Sequence, residues 1–423
     1  MNFLLLVIIL VFGEVSLVYA DSPSPETLEL TLNQALEIAD QGNPDLQVSN
    51  QGVAVAQSSI IIAGQRPNPS LTYAFPIGPA ERKQRLVFNV PIETGGRRQA
   101  RLTVAEARVR EAELGLVRDR QVVLNQTRNA FVELAIAKAA LAQSQRDLEF
   151  MDRLVEVASR RFEAGDVAEA DVFRAVFERE QIERTLYPAE NRVGVARINL
   201  NRLLGYPLET SINVVNSAHL FPTEASIEGE TWQVPDLSTL QEMAFERRPD
   251  LALAAQQIET AKHGRHLAQA NQSPDLALQA GLLYDPFFPA FTYQVGVQIE
   301  LPWGSDRGGE VEQARAQEEQ ALLRQEALLA TAQQSVTLAF TNFQTARRQL
   351  YQDLKVLEPQ AARVMDLAEK IYELGQGDIT ELLVAGQSVQ RQRQLYLADV
   401  ARLHQSLGEL ELAVNTRLIG EIP

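Results

Sequence analysis

No cysteine occurs among the 423 residues, which excludes a disulfide framework, a thiolate metal centre and a lipid-modified amino-terminal cysteine. Aromatic residues are scarce at 6%, so a large compact core would lack its usual anchors and an extended architecture suits the length better. Beyond residue 20 no apolar run approaches the roughly 18 residues that a membrane helix needs. A P-loop glycine pattern, a Gly-x-Ser-x-Gly elbow and a His-Glu-x-x-His helix are all missing, and with them common signatures of nucleotide, acyl-transfer and zinc-protease chemistry. The four histidines are too few for a dedicated metal pathway; His263 and His266 lie one helical turn apart with no third ligand in sight. The expectation is a chain with no enzymatic activity, no cofactor and no resident metal. Basic excess is missing as well: the formal charge is −16, which excludes nucleic acid as a partner and fits either a cation conduit or plain solubility.

What is present begins with an apolar stretch from Phe3 to Phe12 and a Val18-Tyr19-Ala20 end, read as a secretory signal over residues 1–20. An exported chain with no membrane helix and no lipid anchor that sits in a membrane must cross it with strands. The mature chain then repeats itself. Ala35-Leu36-Glu37-Ile38-Ala39 with Asn43-Pro44-Asp45-Leu46 returns as Leu240-Gln241-Glu242-Met243-Ala244 with Arg248-Pro249-Asp250-Leu251. Pro69-Ser70-Leu71 returns as Pro274-Asp275-Leu276, Val90-Pro91 as Leu301-Pro302, and Phe162-Glu163-Ala164-Gly165 as Tyr372-Glu373-Leu374-Gly375. The expected organisation is one repeat over 21–205, a linker over 206–235, a second repeat over 236–415 and a tail over 416–423. Each repeat reads as a helix, two strands, a very long helix, a glycine-bearing turn and another helix.

The strands alternate strictly. From Thr292 to Leu301, the residues Tyr293, Val295, Val297, Ile299 and Leu301 share one face and Thr292, Gln294, Gly296, Gln298 and Glu300 the other. Asp275 to Tyr284 alternates likewise, as do Leu71, Tyr73 and Phe75 and then, after a loop near Pro79, Leu86, Phe88 and Val90. Ten residues of period two match a tilted membrane strand with one face to lipid and one to water. A half-buried hairpin on a soluble domain is the alternative. Four strands cannot close a barrel, so a membrane reading demands an oligomer, either two chains or three. Gly96 to Gly165 and Gly309 to Gly375 are each expected to form one unbroken helix of about 65 to 70 residues, roughly 100 Å long. Val109, Ala112, Leu116, Val123, Ala130, Leu134, Ala137 and Leu141 mark a coiled-coil seam within the first of them.

These local sequences resemble TolC-type outer-membrane efflux proteins, and within them the CzcC-like branch that serves heavy-metal pumps. The likeness is carried by Asn43-Pro44-Asp45-Leu46, Arg66-Pro67-Asn68-Pro69-Ser70-Leu71, Pro91-Ile92-Glu93-Thr94-Gly95-Gly96-Arg97-Arg98, Arg161-Phe162-Glu163-Ala164-Gly165-Asp166 and Leu203-Leu204-Gly205-Tyr206-Pro207. The resemblance implies a mainly α protein with transmembrane β: a homotrimer whose twelve strands form one outer-membrane barrel continued by an α-helical coiled-coil barrel in the periplasm. It implies a passive exit duct that contacts outer-membrane lipid, a periplasmic adaptor and an inner-membrane RND transporter, with divalent heavy-metal cations as cargo. It places bends between strand and helix at Pro91, Gly95 and Gly96, and at Pro302, Gly308 and Gly309. It places adaptor contacts at the turns Gly165, Asp166, Gly375, Gly377 and Asp378, and an aperture at Asp171, Tyr372 and Glu381, where three copies of Glu381 would ring the lumen. Two family positions depart: an arginine that ties the closed gate is Gly377 here, and a second acid is Val384. A soluble periplasmic coiled-coil adaptor, or a duct for organic toxicants or polypeptides, is the alternative.

Overall fold

The computed structural model describes residues 27–76, 83–215, 217–300, 304 and 306–419; the signal segment, Pro79 and Pro302 lie outside them. The described chain opens with β1 (Leu28–Leu30) and a helix that is not single. It breaks into α1 (Leu32–Gly42) and α2 (Pro44–Gly64) because Pro44 has no N–H to continue the ladder. Asn43 caps the second piece, its side chain accepting from the N–H of Asp45 at 2.9 Å and of Leu46 at 3.1 Å. The Asn43 amide also donates to the Leu203 carbonyl at 2.8 Å, so a fully buried polar side chain has no bond left wanting.

Two strands follow, β2 (Ser70–Ala74) and β3 (Gln84–Ile92), then α3 (Arg97–Glu163), 67 residues without a break. Every residue of the expected coiled-coil seam in α3 is buried or half-buried. After a turn, α4 (Glu169–Leu204) runs back along α3. The segment expected as linker holds more order than its composition implies. It contains β4 (Ile212–Val214), which pairs in parallel with β1, and α5 (Glu224–Glu228), and it buries Trp232 against the second repeat.

The second repeat starts with α6 (Leu237–Arg247) and α7 (Pro249–Ala270), broken at Pro249 as the first was at Pro44. It continues with β5 (Leu276–Asp285), β6 (Ala290–Ile299) and α8 (Gly308–Gln352). Here the expectation of one unbroken long helix is corrected. A π turn occupies Asp353–Leu357 and a new helix, α9 (Glu358–Glu373), begins with Pro359 in its first turn. Proline lacks the N–H an α ladder requires, and the π turn absorbs the mismatch. The last helix, α10 (Ile379–Val414), is 36 residues long, as α4 is.

The strands of both repeats join in one antiparallel sheet, ordered β2-β3-β5-β6. Its register decides the faces, because directly paired residues point the same way. Leu71 and Tyr73 pair with Phe88 and Leu86, these with Ala280 and Leu282, and these with Val295 and Tyr293. One face is therefore apolar from edge to edge. The other carries Thr72, Asn89, Gln279, Gln294 and Gln298.

Packing is concentrated elsewhere. One apolar cluster joins α1, α3, α4, β1 and β4 around Phe131 and Leu200; a second joins α6, α8, α10 and Trp232 around Phe343 and Leu403. A third, around Met151, Ala175, Tyr372 and Leu382, holds the far ends of α3, α4, α9 and α10 together. Truncating Phe131 or Phe343, both fully buried, would cost about 3–5 kcal/mol by loss of transfer free energy and creation of a cavity.

Candidate functional site

Three places carry the positions singled out by sequence: the sheet, its junction with the helices and the paired helical turns. The sheet is open. Pairing ends at β2 on one side and β6 on the other, and Tyr293, Val295, Val297 and Ile299 of β6 are all exposed, Val295 by 85%. Such an apolar row beside an unpaired strand edge is costly in water. Among the described residues no helix is long and apolar enough to cross a membrane, which says nothing of strands.

At the junction, Pro91 does not end the strand as expected. Pairing with β2 stops at Asn89, but pairing with β5 runs through Pro91 to Ile92. Gly95 and Gly96 do make the bend, both with positive φ. A Cβ on Gly95 would overlap the Ser273 side chain, so only glycine fits there. In the second repeat the expectation fails. Gly308 and Gly309 lie inside α8, and the left-handed residue is Arg307 with φ 54°. Arg97 fastens the junction from α3, its buried guanidinium bonding the Ala270 and Ser273 carbonyls and the Asp275 carboxylate at the foot of β5.

The two helical turns are built alike. After α3, Gly165 at φ 80° donates to the Phe162 carbonyl and Asp166 to that of Arg161; after α9, Gly375 at φ 71° donates to Tyr372 and Gln376 to Ile371. This double bond pattern terminates a helix by turning one residue left-handed, which glycine does without strain. The restart differs. Asp378 caps α10 by accepting from the Thr380 N–H at 3.3 Å, whereas Ala168 offers α4 no side-chain cap. Gly377 is half-buried, and a Cβ there would stand 2.7 Å from the exposed Ile371 side chain, which would have to shift to admit the arginine that the resemblance leads one to look for.

Tyr372 is buried, with the Arg161 guanidinium 4.7 Å from its ring centre and the Arg161 Nη1 donating to its carbonyl at 2.9 Å. Burial pushes the phenol up, and the Arg161 charge works against that shift. Arg174 on α4 reaches both Asp171 at 3.4 Å and the Thr380 hydroxyl at 3.3 Å, joining the first turns of α4 and α10. Asp171 is thereby paired. Glu381 is exposed in the first turn of α10 and, among the described residues, has no cation within salt-bridge distance. The structure thus brings Asp171, Tyr372, Gly375, Gly377, Asp378 and Glu381 to one end of the molecule with Gly165 and Asp166. The sequence offers Arg161 only as part of the turn motif, without a role, and does not single out Arg174. No pattern along the chain marks their contacts, since each arginine reaches a partner in another helix.

A family model described as outer membrane efflux protein matches residues 35–206 and 240–416. The chain belongs to the outer membrane efflux protein family. Among relatives of this efflux protein is the cobalt-zinc-cadmium resistance protein CzcC of Cupriavidus metallidurans, 23% identical over 378 residues that cover 89% of this chain and 88% of the relative. The pyoverdine export outer membrane protein OpmQ of Pseudomonas aeruginosa is also 23% identical, covering 91% and 83%. The crystal structure of the outer membrane protein VceC from Vibrio cholerae superposes with a TM-score of 0.71 at 21% identity, covering 91% of this chain and 96% of that one. The TolC-type likeness read from local motifs stands, with CzcC among the relatives. Membership in this family places the efflux protein in the outer membrane and sets aside a soluble coiled-coil adaptor.

Proposed function

We propose that three copies of this chain close a twelve-stranded barrel through the outer membrane and form a passive exit duct projecting into the periplasm. The observation that carries this reading is the register of the four-stranded sheet, which gathers apolar side chains on one uncovered face and leaves β2 and β6 with unpaired edges. Unpaired amide and carbonyl groups are not tolerated in hydrocarbon, so the edges of one sheet must meet those of the next. Tyr293, Val295 and Val297 then face lipid while Gln279, Gln294 and Gln298 line water. The paired helices carry the duct about 100 Å toward the inner membrane, where the turns at Gly165, Asp166, Gly375, Gly377 and Asp378 meet a periplasmic adaptor and an inner-membrane RND transporter.

In this reading Glu381 supplies an acidic ring at the aperture, and Asp171, tied to Arg174, steadies it rather than adding a second free carboxylate. Three like charges facing a narrow lumen concentrate cations and repel anions. The cargo we assign is divalent heavy-metal cations, supported by the CzcC-like signatures; the pyoverdine relative marks the competing cargo class. Heat-modifiable trimers in outer-membrane fractions and ion conductance in planar bilayers are the expected results. A stable soluble monomer overturns the duct. Glu381→Gln is expected to lower cation preference in the same bilayers, with unchanged selectivity removing the ring. A deletion strain challenged with cobalt, zinc and cadmium beside siderophores and dyes reads out the cargo.

A further inference from the structure

The π turn in the second long helix coincides with an unusual buried group. Asp353 is its first residue and is only 7% exposed, although it carries a carboxyl. One carboxyl oxygen receives the Gln392 amide of α10 at 3.4 Å, and the other has no ordinary hydrogen-bond donor. Across from it on α10 stands Asp399, itself largely buried and bonded to Arg402 at 2.5 Å. Burial first, and then the adjoining Asp399 carboxyl, push Asp353 up to about 6. A carboxyl buried beside a second acid, with one oxygen lacking a donor, holds its proton more tightly than an exposed one.

The other charged groups around the pair are engaged elsewhere. On the π turn, Lys355 faces away to Glu228 and Tyr351. On α8, Gln349 meets Arg402 at 3.2 Å and adds no charge. On α10, Arg393 reaches Asp147 of α3 at 3.4 Å, and Tyr396 is pushed up to about 12 by burial and then by Glu358 of α9. Arg402 therefore compensates Asp399 alone. A π turn followed at once by Pro359 is also the place where this helix bends most easily.

We propose that the Asp353 and Asp399 carboxyls form a proton-operated catch on a hinge at the π turn. With Asp353 protonated, the catch holds the head of α9 against α10. With Asp353 ionised, repulsion in the buried site opens the π turn and frees α9 and the turn bearing Tyr372 and Gly375. The sign follows from the raised acid: the closed arrangement binds more protons than an opened one, so it loses stability as pH rises from about 4 towards and through about 6. The role of that turn as a gate rests on the duct reading above; the catch itself does not.

Hydrogen exchange on the full-length protein in detergent, corrected for the intrinsic pH dependence of exchange, tests it at about pH 5 and about pH 7.5. Amides of 353–373 are expected to lose protection on the order of tenfold at the higher pH, while those of α3 around Phe131, inside the first apolar cluster, stay unchanged. Asp353→Asn supplies a fixed donor to Asp399 and is expected to keep the protection at both pH values; Asp399→Asn is the second variant should the first misfold. Equal protection at both pH values in the wild type overturns the catch, as does a pH response that survives either substitution. Because the readout is exchange rather than conductance, its failure leaves the duct standing, and failure of the trimer assay leaves the catch standing.

Discussion

The two helical hairpins share a plan and differ in what they bury. In the first, α3 runs unbroken, and positions 143, 182 and 189 are Gln143, Ile182 and Ala189. In the second, the residues 210 positions later are Asp353, Gln392 and Asp399, set at a π turn. Likewise Gly194, with open space around it, is answered by His404, buried against Trp232. Duplication made two equal scaffolds. At these positions the second hairpin buries a carboxyl and an imidazole where the first has an amide and a glycine, so the two scaffolds differ in which of these sites can take up or lose a proton.

The contrast breaks first at the junctions of strand and helix. Gly95→Ala is expected to destabilise the protein by ~2–4 kcal/mol, from a left-handed backbone and a clash with Ser273. Gly309→Ala, in the matching bend but inside a helix with open space around it, should gain about 0.5 kcal/mol. Thermal unfolding of the purified proteins checks both, and equal losses would erase the distinction between the two bends.

Next in size is His404. Burial first holds it down at about 4, and its Nε2 bonds to the Leu220 carbonyl at 2.7 Å. A base whose folded value lies below its unfolded one is fully stabilising above about 6.5 and loses that contribution as pH falls towards about 4. Denaturation midpoints should therefore drop over that window by the equivalent of on the order of 2–3 kcal/mol, and His404→Gln should flatten the drop. The direction is opposite to that of Asp353, which makes the two groups separable in one titration.

Smaller effects are expected at the turns. Arg161→Ala removes the stacking on Tyr372 and one charged bond to its carbonyl, worth ~1–2 kcal/mol locally. Longer open times in bilayer recordings are the measurement. Ala168→Asp gives α4 the cap that Asp378 gives α10 and should raise stability by ~0.5–1 kcal/mol, while Asp378→Ala should lose about as much. Calorimetry reads both, and a loss on adding the cap would show that the first turn is held by something other than its own hydrogen bonds.

Much of this was legible in advance because it depends on neighbours in sequence. Period-two strands, the seam of α3 and the glycines ending α3 and α9 follow from local geometry. The break at Pro44 was equally local and was passed over, as was the break at Pro359. Arg161, Arg174 and the Asp353 pair were not legible, because each acts on a partner in another helix brought beside it by folding.

The sequence alone determined that the chain repeats one plan, is rich in long helices and is furnished with strands of two faces. Periodicity needs no partner to be read. Only the tertiary structure decided that β3 pairs with β5, which merges the repeats into one sheet and stacks Phe88, Ala280 and Val295 on a common face. It alone also decided which carboxyls are paired, which one, Asp353, is buried, and which, Glu381, stays exposed. Those outcomes depend on distance and burial across the fold, and neither is encoded in the spacing of residues along the chain.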